Sequence, residues 1–516
     1  MLRLDTQSAL QPSTSVGMLP LAGWVLAAVT AALALHGLRW GIVHDASLMF
    51  YIGREVASGA RSIVDIFDMN MPLVYWVHAG IYLLIGTSGP AWHVVDLAMM
   101  AVVCSAGYRL VAPISAPYAA LAALAMLTQH LYNGAYLTGQ RDIFMLMWAL
   151  LSAAALARAA EREDFGWGML RAGVLLGLAI NAKPAGAVYA PFLLGAVALA
   201  MMQHGTWRSR LPQLALAAAS FAAGSAVPCA ILVLVLHLQG VLPDFIEAWR
   251  EYLLPVYGSV RHPLLWVLPY VWMPFVVLAT LFGLACAAGA TWRPSVRLWM
   301  LLAVVFGSLA EYLVQGKGWL YQAAPASYTA MLLGGVILAG LARAGAEGRR
   351  LADLTVVSII GLGSIFAAAE LVAPDSKGPE DAFYVKQLAA DIDRLVEPGL
   401  PVQALDNADG ALAALLHNGR RQPTRFIYDF QFFIGLPTAY RARLRAEFLA
   451  TLAAAGPHAL VVTNRQWPEV QGFERLDGPG QWPELNSRLG SGYRLVLARS
   501  DGFAENRAYR IYRSIP

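Results

Sequence analysis

The stretch His44-Asp45-Ala46-Ser47-Leu48-Met49-Phe50-Tyr51 directly follows the first long apolar run of the chain, residues 20–42. That run is long enough to cross about 30 Å of hydrocarbon as a helix, so Asp45 falls at a membrane edge. An ionised carboxylate is costly in a low dielectric unless it is partnered. An acid in this position is therefore a candidate functional residue. We interpret residues 45–72 as a polar loop that caps a membrane bundle and holds the functional site.

The composition supports a membrane protein. Hydrophobic residues make up 58% and charged residues 14% of the 516 residues, whereas soluble domains carry roughly 25% charged residues. The mean hydropathy is +0.54. The net charge of +4 comes without a basic run of five or more, so nothing indicates nucleic-acid binding. Three cysteines, Cys104, Cys229 and Cys286, lie inside apolar blocks, which favours buried thiols over disulfides.

Eleven apolar blocks predict spanning helices. They lie near residues 20–42, 91–112, 116–136, 140–158, 170–186, 187–203, 213–237, 264–289, 296–314, 319–342 and 351–373. A twelfth candidate, 73–88, is short and contains polar residues, so we interpret it as a juxtamembrane or half-inserted helix. If it were a full span, every later basic loop would lie outside, against the positive-inside rule. The sequence thus predicts an α-helical polytopic protein with about 11–12 spans.

The charges between the helices predict the orientation. With the N-terminus inside, the inner connections hold Arg109, Arg158, Arg162, Arg171, Arg208, Arg210, Arg293, Arg297, Arg343, Arg349 and Arg350. The outer face then collects Asp45, the 65–68 loop, Gln140-Arg141-Asp142, Lys183, the 238–262 loop and Gln315-Gly316-Lys317. Cations kept outside against the rule indicate an anionic ligand. The alternative is that these side chains extend to lipid headgroups.

The chain changes character after residue 374. Strand-like runs at 401–405, 459–463, 494–498 and 508–512 alternate with helical periodicity at 438–455. We therefore predict two domains, a membrane domain over 1–373 with an outer loop over 43–90, and a soluble α/β domain over 374–516. About 140 residues are enough for a domain to bury its own core. An odd number of spans places this domain outside.

Two acids could do chemistry at the outer surface. Asp45 follows the first helix and Asp142 opens the fourth, so both could orient or deprotonate an acceptor hydroxyl. The alternative for Asp45 is a helix N-cap, a task that Ser47 could also perform. The alternatives for Asp142 are an ion pair with Arg141 or an N-cap.

Two lysines could bind an anion. In Asn181-Ala182-Lys183-Pro184, the proline fixes the break after Lys183. In Val314-Gln315-Gly316-Lys317-Gly318-Trp319-Leu320-Tyr321-Gln322, two glycines free the backbone around Lys317. The segment from Trp249 to Arg261 is predicted to cover the membrane face. The sequence shows no nucleotide-binding glycine loop, zinc-ligand spacing or nucleophile elbow, so we predict no metal site and no cofactor, and leave a divalent cation open.

These residues resemble those of the GT-C superfamily of integral membrane glycosyltransferases, in particular the bacterial aminoarabinose transferase and protein O-mannosyltransferase branch. The acid after the first helix is followed by D-x-N-x-P-L-x-Y-W, here Asp68, Asn70, Pro72, Leu73, Tyr75 and Trp76. Asp142, the Lys183-Pro184 pair and a late Q-G-K-x-W-x-Y segment ending at Tyr321 continue the resemblance. Two positions depart from it, because many relatives carry a second acid where Ala46 stands and a histidine where Gln322 stands.

The resemblance implies transfer of a sugar from a polyprenyl-phosphate carrier to a lipid, glycan or protein acceptor outside the cytoplasm, with inversion. It implies a catalytic role for Asp45 and Asp142. Substrate or phosphate binding would fall to Lys183, Lys317, Arg54, Arg141, Asp68, Asn70, Gln315 and Tyr321. The expected location is the bacterial inner membrane.

Two other classes compete with this interpretation. A transporter or flippase of lipid-linked glycans would place polar residues at mid-membrane in broken helices, usually within repeated halves. A polysaccharide polymerase or ligase usually carries its large outer loop in mid-chain. The polar residues here fall at outer helix ends, and the large polar segment is C-terminal.

Overall fold

The computed structural model describes residues 18–203, 207–372, 379–406, 410–433, 438–456, 458–463, 482–500 and 508–515. The predicted domain boundary at 373/374 lies outside the described residues. Up to residue 372 the described chain is helical. Its helices are α1 Met18–Gly37, α2 His44–Ala57, α3 Pro72–Ile85, α4 Gly89–Val111, α5 Ala116–Tyr132, α6 Arg141–Glu161, α7 Trp167–Ala182, α8 Tyr189–Met202, α9 Trp207–Leu238, α10 Leu242–Ala248, α11 Leu264–Val267, α12 Trp272–Ala287, α13 Val296–Gln315, α14 Leu320–Arg343 and α15 Ala346–Val372.

Each of the eleven predicted spans lies on a helix. Within the described ranges, eight helices are long and apolar enough to cross a membrane, and a ninth span results if the pair Leu264–Tyr270 and Trp272–Ala287, bent by 63°, counts as one. The other two, α5 and α7, have 17 and 16 residues. Helix α3, which corresponds to the twelfth candidate at 73–88, has only 14 residues, short of the ~20 that a full span needs. The prediction of a polytopic helical membrane protein is confirmed.

Local sequence explains where the key helices begin and end. Pro72 occupies the first turn of α3, where its missing N–H costs nothing, and Ser88 caps α4 by accepting the Ala91 N–H. Helix α7 ends at Ala182, and a short 3₁₀ helix, Pro184–Val188, follows the predicted Lys183-Pro184 break. Helix α13 ends at Gln315 and is followed by Gly316, whose φ of +62° suits glycine.

The polar composition of residues 45–72 suggested a loop, but only part of this segment is a loop. Residues 44–57 form α2, which buries every residue from Asp45 to Arg54. An irregular turn over residues 58–71 then leads into α3. The N-cap position of α2 is Val43, no side chain caps the helix, and the Ser47 hydroxyl donates to the His44 carbonyl. Ser47 therefore does not act as the cap that the sequence suggested.

Several of the predicted inner basic residues pair at the end of the bundle opposite to Asp45. Arg297 donates to both oxygens of Glu161, at 2.6 and 2.8 Å, and to the Arg109 carbonyl at 2.6 Å. Arg210 pairs with Glu163 at 3.3 Å. These contacts tie α4, α6, α9 and α13 together at one surface, so the two ends of the bundle carry different side chains.

The C-terminal part forms one mixed sheet covered by helices. Its helices are α16 Pro379–Leu395, α17 Ala411–His417, α18 Phe430–Phe433, α19 Ala439–Ala454 and α20 Pro483–Gly492. The strands β1 Val402–Leu405, β2 Ala459–Thr463, β3 Tyr493–Arg499 and β4 Tyr509–Ser514 lie in the order β1-β2-β4-β3. β1 and β2 are parallel, and β4 runs antiparallel to both neighbours. All four predicted strands and the helix at 438–455 are confirmed.

The apolar core of this C-terminal unit continues into the membrane part of the chain. One continuous apolar cluster joins its strands to α2, to the 63–75 segment and to residues 248–260. Phe67 packs on Phe426 with ring centroids 5.6 Å apart, and its N–H donates to the Arg425 carbonyl. The backbone N–H of Gln422 donates to the Tyr51 hydroxyl at 2.9 Å. The unit therefore lies directly on the end of the bundle that carries Asp45.

Candidate active site

Asp45 and Arg141 form an ion pair at the centre of this end of the bundle. The Arg141 guanidinium donates to Asp45 Oδ2 at 3.3 Å, and His44 Nδ1 lies 3.4 Å from Oδ1. Asp45 is only 8% exposed and sits in the first turn of α2, where the helix dipole favours a negative charge. The preceding residue, His44, has a φ of +52°, rare outside glycine. Asp45 is therefore held as a partnered carboxylate and makes no capping bond.

Asp142 pairs with Lys183, and not with its neighbour Arg141. Lys183 Nζ lies 2.5 Å from Asp142 Oδ1 and 3.9 Å from Glu311 Oε1. Both carboxylates are fully buried, and Asp142 Oδ2 and Glu311 Oε2 have no hydrogen-bond partner among the described residues. Lys183 is thus already neutralised by acids, which limits its ability to bind a phosphate.

Glu311 is the residue that the sequence interpretation missed. It lies on α13, and Gln315, one turn later, donates to it. Gln322 on α14 in turn donates to Gln315 at 2.9 Å. The signal was available, because an acid inside an apolar spanning helix is by default a functional candidate. Gln315 therefore belongs to a polar chain that extends from Lys183 to α14.

Lys317 is held beneath the segment that was predicted to cover the membrane face. Its Nζ lies 3.2 Å from the Tyr257 ring centroid, 3.2 Å from the Tyr257 carbonyl oxygen and 5.4 Å from the Trp319 ring. Gly316 and Gly318 on either side have φ values of +62° and +68°, which only glycine adopts at little cost. Burial, together with nearby Lys183 and Arg141, lowers the pKa of Lys317 from 10.5 to about 6. Without an anion this ammonium group loses its proton easily.

Tyr321 belongs to an aromatic wall beside Asp45. Its ring centroid lies 5.8 Å from that of Tyr136, 6.3 Å from that of His44 and 5.4 Å from that of Trp319. These rings come from α14, the turn before α6, the start of α2 and the 316–319 loop. They restrict access of water to the Asp45–Arg141 pair, which strengthens electrostatic interactions there.

Asp68 and Asn70 hold the turn before α3. Asp68 Oδ2 accepts from the Tyr75 hydroxyl at 2.5 Å and from the Asn70 side chain at 2.7 Å. The Met69 N–H donates to the Tyr428 hydroxyl of the C-terminal unit at 2.9 Å. In this structure the polar residues of the D-x-N-x-P-L-x-Y motif therefore hydrogen-bond to one another, and the segment also bonds to the C-terminal unit.

Arg54 pairs with neither of the two predicted catalytic acids, Asp45 and Asp142. Its guanidinium is 2.8 Å from Glu55 Oε1 and donates to the Arg420 carbonyl at 2.7 Å. It also stacks 4.6 Å from the Tyr51 ring centroid. The structure thus brings together Asp45, Asp142, Arg141, Lys183, Gln315, Lys317 and Tyr321, whereas Arg54 contacts the C-terminal unit.

The arrangement offers a buried carboxylate beside cations. Among the residues that the structure describes, no three histidine, cysteine or acidic side chains converge in a way that could hold a metal ion. A hydroxyl group at Asp45 could be deprotonated or oriented, and an anion between Arg141 and Lys317 would meet two donors. Such a site suits transfer of a group from an anionic leaving group to a hydroxyl.

Known proteins match part of the sequence of this chain and most of its fold. Residues 70–227, under a third of the chain, match the family model described as dolichyl-phosphate-mannose-protein mannosyltransferase. No curated protein sequence matches the chain. Among solved structures, ArnT from Cupriavidus metallidurans bound to undecaprenyl phosphate superposes with a TM-score of 0.61 at 14% identity, covering 96% of this chain and 98% of ArnT. The apo state of the same protein gives a TM-score of 0.58 at the same identity and coverage.

An oligosaccharyltransferase from Archaeoglobus fulgidus, tethered with an acceptor peptide containing the NVT sequon, is a more distant match. Its TM-score is 0.50 at 11% identity, covering 86% of this chain and 68% of that one. The predicted resemblance is confirmed at the level of the fold. The chain is a multi-pass membrane protein with the fold of these integral membrane glycosyltransferases, and its residues 70–227 match the mannosyltransferase family model.

Proposed function

We propose that the protein transfers a sugar from a polyprenyl-phosphate carrier to an acceptor outside the cytoplasm, with inversion at the anomeric carbon. The observation that carries this proposal is that Asp45, Arg141 and Lys317 lie close together at the end of the helical bundle that the C-terminal unit covers, in a fold shared with glycosyltransferases. Support for the carrier comes from the undecaprenyl phosphate bound in ArnT. A lipid, a glycan and a protein all fit as acceptors.

In the proposed reaction, Asp45 takes the proton of the acceptor hydroxyl as its oxygen attacks the anomeric carbon. The new carbon–oxygen bond forms on the face opposite to the phosphate. The bond between the anomeric carbon and the phosphate oxygen breaks, and its electron pair leaves with the carrier phosphate. Attack from the opposite face inverts the configuration. Arg141, which lies 3.3 Å from Asp45, holds that carboxylate close to the reacting atoms.

The leaving phosphate needs cations that are not already neutralised. Lys317 lies against aromatic rings and has no carboxylate within salt-bridge distance among the described residues, whereas Lys183 is bound to Asp142. We therefore assign the phosphate first to Lys317. Arg141 comes second and Lys183 last, because the 3.3 Å contact of Arg141 with Asp45 is longer than the 2.5 Å contact of Lys183 with Asp142. Donors fixed in a dry site stabilise developing charge more than the same groups in water. Asp142 and Lys183 would then hold the start of α6 against α13.

The proposed orientation places the C-terminal unit and the site outside the cytoplasm. In a cysteine-free background, we expect an impermeant thiol reagent on intact cells to label Ser487→Cys, exposed on α20. Thr291→Cys, exposed between α12 and α13, should react only after the cells are permeabilised. These two positions belong to opposite ends of the protein. The reverse labelling pattern would show that the membrane orientation is inverted.

Reconstitution of the purified protein tests the activity. Vesicles would carry a panel of polyprenyl-phosphate sugars, and a membrane extract would supply acceptors. We expect one or a few donors to yield free polyprenyl phosphate together with an acceptor that gains the sugar with inverted anomeric configuration. Movement of intact carrier lipid across the bilayer without cleavage of the phosphate–sugar bond would indicate a transporter and refute the proposal.

A further inference from the structure

A second buried polar network lies deeper in the bundle than the candidate site. Asp96 on α4 and His130 on α5 are fully buried, and Asp96 Oδ2 is 2.7 Å from His130 Nε2. His130 Nδ1 lies 3.1 Å from the hydroxyl of Tyr328 on α14, which is also fully buried. None of these residues contacts the Asp45–Arg141 pair directly, so the reaction proposed above gives them no task.

Hydrogen bonding between helices does not by itself explain why this position carries an acid. Interhelical hydrogen bonds in membranes contribute little on average, and a neutral side chain would provide them without the cost of burying a carboxylate. Asp96 uses both oxygens, because Oδ1 accepts the backbone N–H of Gly139 at 2.9 Å. With His130 Nε2 protonated, Asp96 accepts both hydrogen bonds at once, one on each oxygen, and both gain strength from its charge.

Gly139 belongs to the tight turn that starts α6. Its φ is +65°, and a Cβ placed there would lie 2.2 Å from the Trp92 ring, so the turn is fixed against α4 on that side too. Trp92 Nε1 donates to Thr138 Oγ1 at 3.3 Å. Two residues after Gly139 comes Arg141, the partner of Asp45, and then Asp142, the partner of Lys183.

We propose that Asp96 is a positioning residue for the transfer reaction. Held by His130, it fixes the Gly139 turn so that the first turn of α6 presents Arg141 to Asp45 and Asp142 to Lys183. This inference rests on the proposed glycosyl transfer. Misplacement of reacting groups by about 1 Å can lower rates by about 100-fold, so a single hydrogen bond to a turn can control turnover.

The variant Asp96→Asn tests the network. The amide removes the charge and leaves one acceptor oxygen, so it can keep both partners only if that oxygen accepts the Gly139 N–H, its NH2 group donates to His130 Nε2 and His130 adopts the other tautomer. The matched control is Thr30→Val, which removes another buried contact to α5, the 2.7 Å hydrogen bond between Thr30 and Thr128. That contact does not involve α6 or Gly139. His130→Gln is a milder second variant, because its amide can still donate to Asp96.

We expect Asp96→Asn to lower kcat by about 10- to 100-fold while KM for the donor changes by less than about threefold. In a double-mutant cycle, Arg141→Lys should add little to the loss caused by Asp96→Asn, because both act through one pair. His130→Gln should lower kcat by several-fold with the same lack of additivity. It carries the kinetic test if Asp96→Asn does not fold. Thr30→Val should leave kcat unchanged.

Hydrogen–deuterium exchange provides a readout that does not depend on activity. We expect amides around Gly139 to exchange faster in Asp96→Asn or His130→Gln, and at the wild-type rate in Thr30→Val. If the variants exchange faster but the wild-type protein has no transferase activity, the proposed function is disproved. The inference that Asp96 fixes the Gly139 turn would still stand. Unchanged exchange at Gly139, or losses of kcat that add fully to those of Arg141→Lys, would overturn the positioning role.

Discussion

Asp45→Asn should abolish sugar transfer, with a fall in kcat of about 10³-fold. A positioned general base contributes about 10²–10⁴-fold, and an amide cannot take a proton from the acceptor. The amide is nearly the same size, so packing at the start of α2 should change little. Binding of the donor phosphate does not require the Asp45 carboxylate, and its removal frees Arg141 to interact with an anion. We therefore expect polyprenyl phosphate to bind at least as well as in the wild type.

The measurement is steady-state kinetics on purified protein, with binding of polyprenyl phosphate followed by thermal shift. Asp65→Asn is the matched control, because Asp65 lies in the same segment, is largely exposed, and pairs only with Arg61 at 2.9 Å among the described residues. It should retain wild-type turnover, since exposed pairs contribute about 1 kcal/mol or less to stability. Substantial turnover by Asp45→Asn would assign the base to another residue.

Lys317→Met should weaken donor binding and slow transfer, while the affinity for the acceptor stays nearly unchanged. Methionine keeps most of the apolar stem between Tyr257 and Trp319 and removes only the charge. We expect a loss of about 10- to 100-fold in kcat/KM for the donor, in line with charge-assisted hydrogen bonds to a phosphate of about 1.5–3 kcal/mol. Lys317→Arg should rescue only in part, because the guanidinium differs in shape from the ammonium.

Donor binding should also depend on pH through the same lysine. The pKa of Lys317 in the free protein is about 6, so near pH 7 most molecules must take up a proton when the anion binds. Affinity for the donor should therefore be highest below about pH 6, where Lys317 is already protonated, and fall as the pH rises above it, by up to about tenfold per unit. A phosphodiester donor keeps a constant charge over this range, which isolates the protein group. The pH slope should disappear in Lys317→Met.

Lys386→Met is the control, because Lys386 is exposed on α16 of the C-terminal unit. It should change neither the affinity nor its pH slope. A lysine that only extends to lipid headgroups predicts at most about a twofold change in activity for Lys317→Met. If the loss appears only in acceptor affinity, the phosphate binds elsewhere.

Much of the fold was predictable because membranes impose lengths and charges on a sequence. All eleven apolar blocks became helices, and the β1–β4 strands appeared where period-two patterns predicted them. The segment 45–72 was misinterpreted because its polar residues suggested a loop. In the structure several of those polar groups are buried, and Arg54 is covered by the C-terminal unit, where the Arg420 carbonyl accepts its hydrogen bond. Only the tertiary contact provides the partner, so the local pattern was not informative.

The site was predictable in its members more than in its pairings. The sequence identified Asp45, Asp142, Arg141, Lys183 and Lys317 as outer-end residues, and the structure brings them to one end of the bundle. It could not show that Lys183 binds Asp142 and Glu311, because residues 142, 183 and 311 meet only when three distant helices pack. The same limit applied to Asp96, whose contact with Gly139 crosses 43 positions.

The shared apolar cluster also determines when the protein can mature. Helix α2 contacts Arg420 and Gln422 and packs against α17, all of which are synthesised roughly 350 residues or more after it. At about 5–20 residues per second, translation leaves this face of α2 uncovered for about 20 to 70 seconds or more. During that interval the helix that carries Asp45 can pack against other membrane helices but is not covered by the C-terminal unit. The contacts that cover this face of α2 therefore form only after the C-terminal unit has been synthesised.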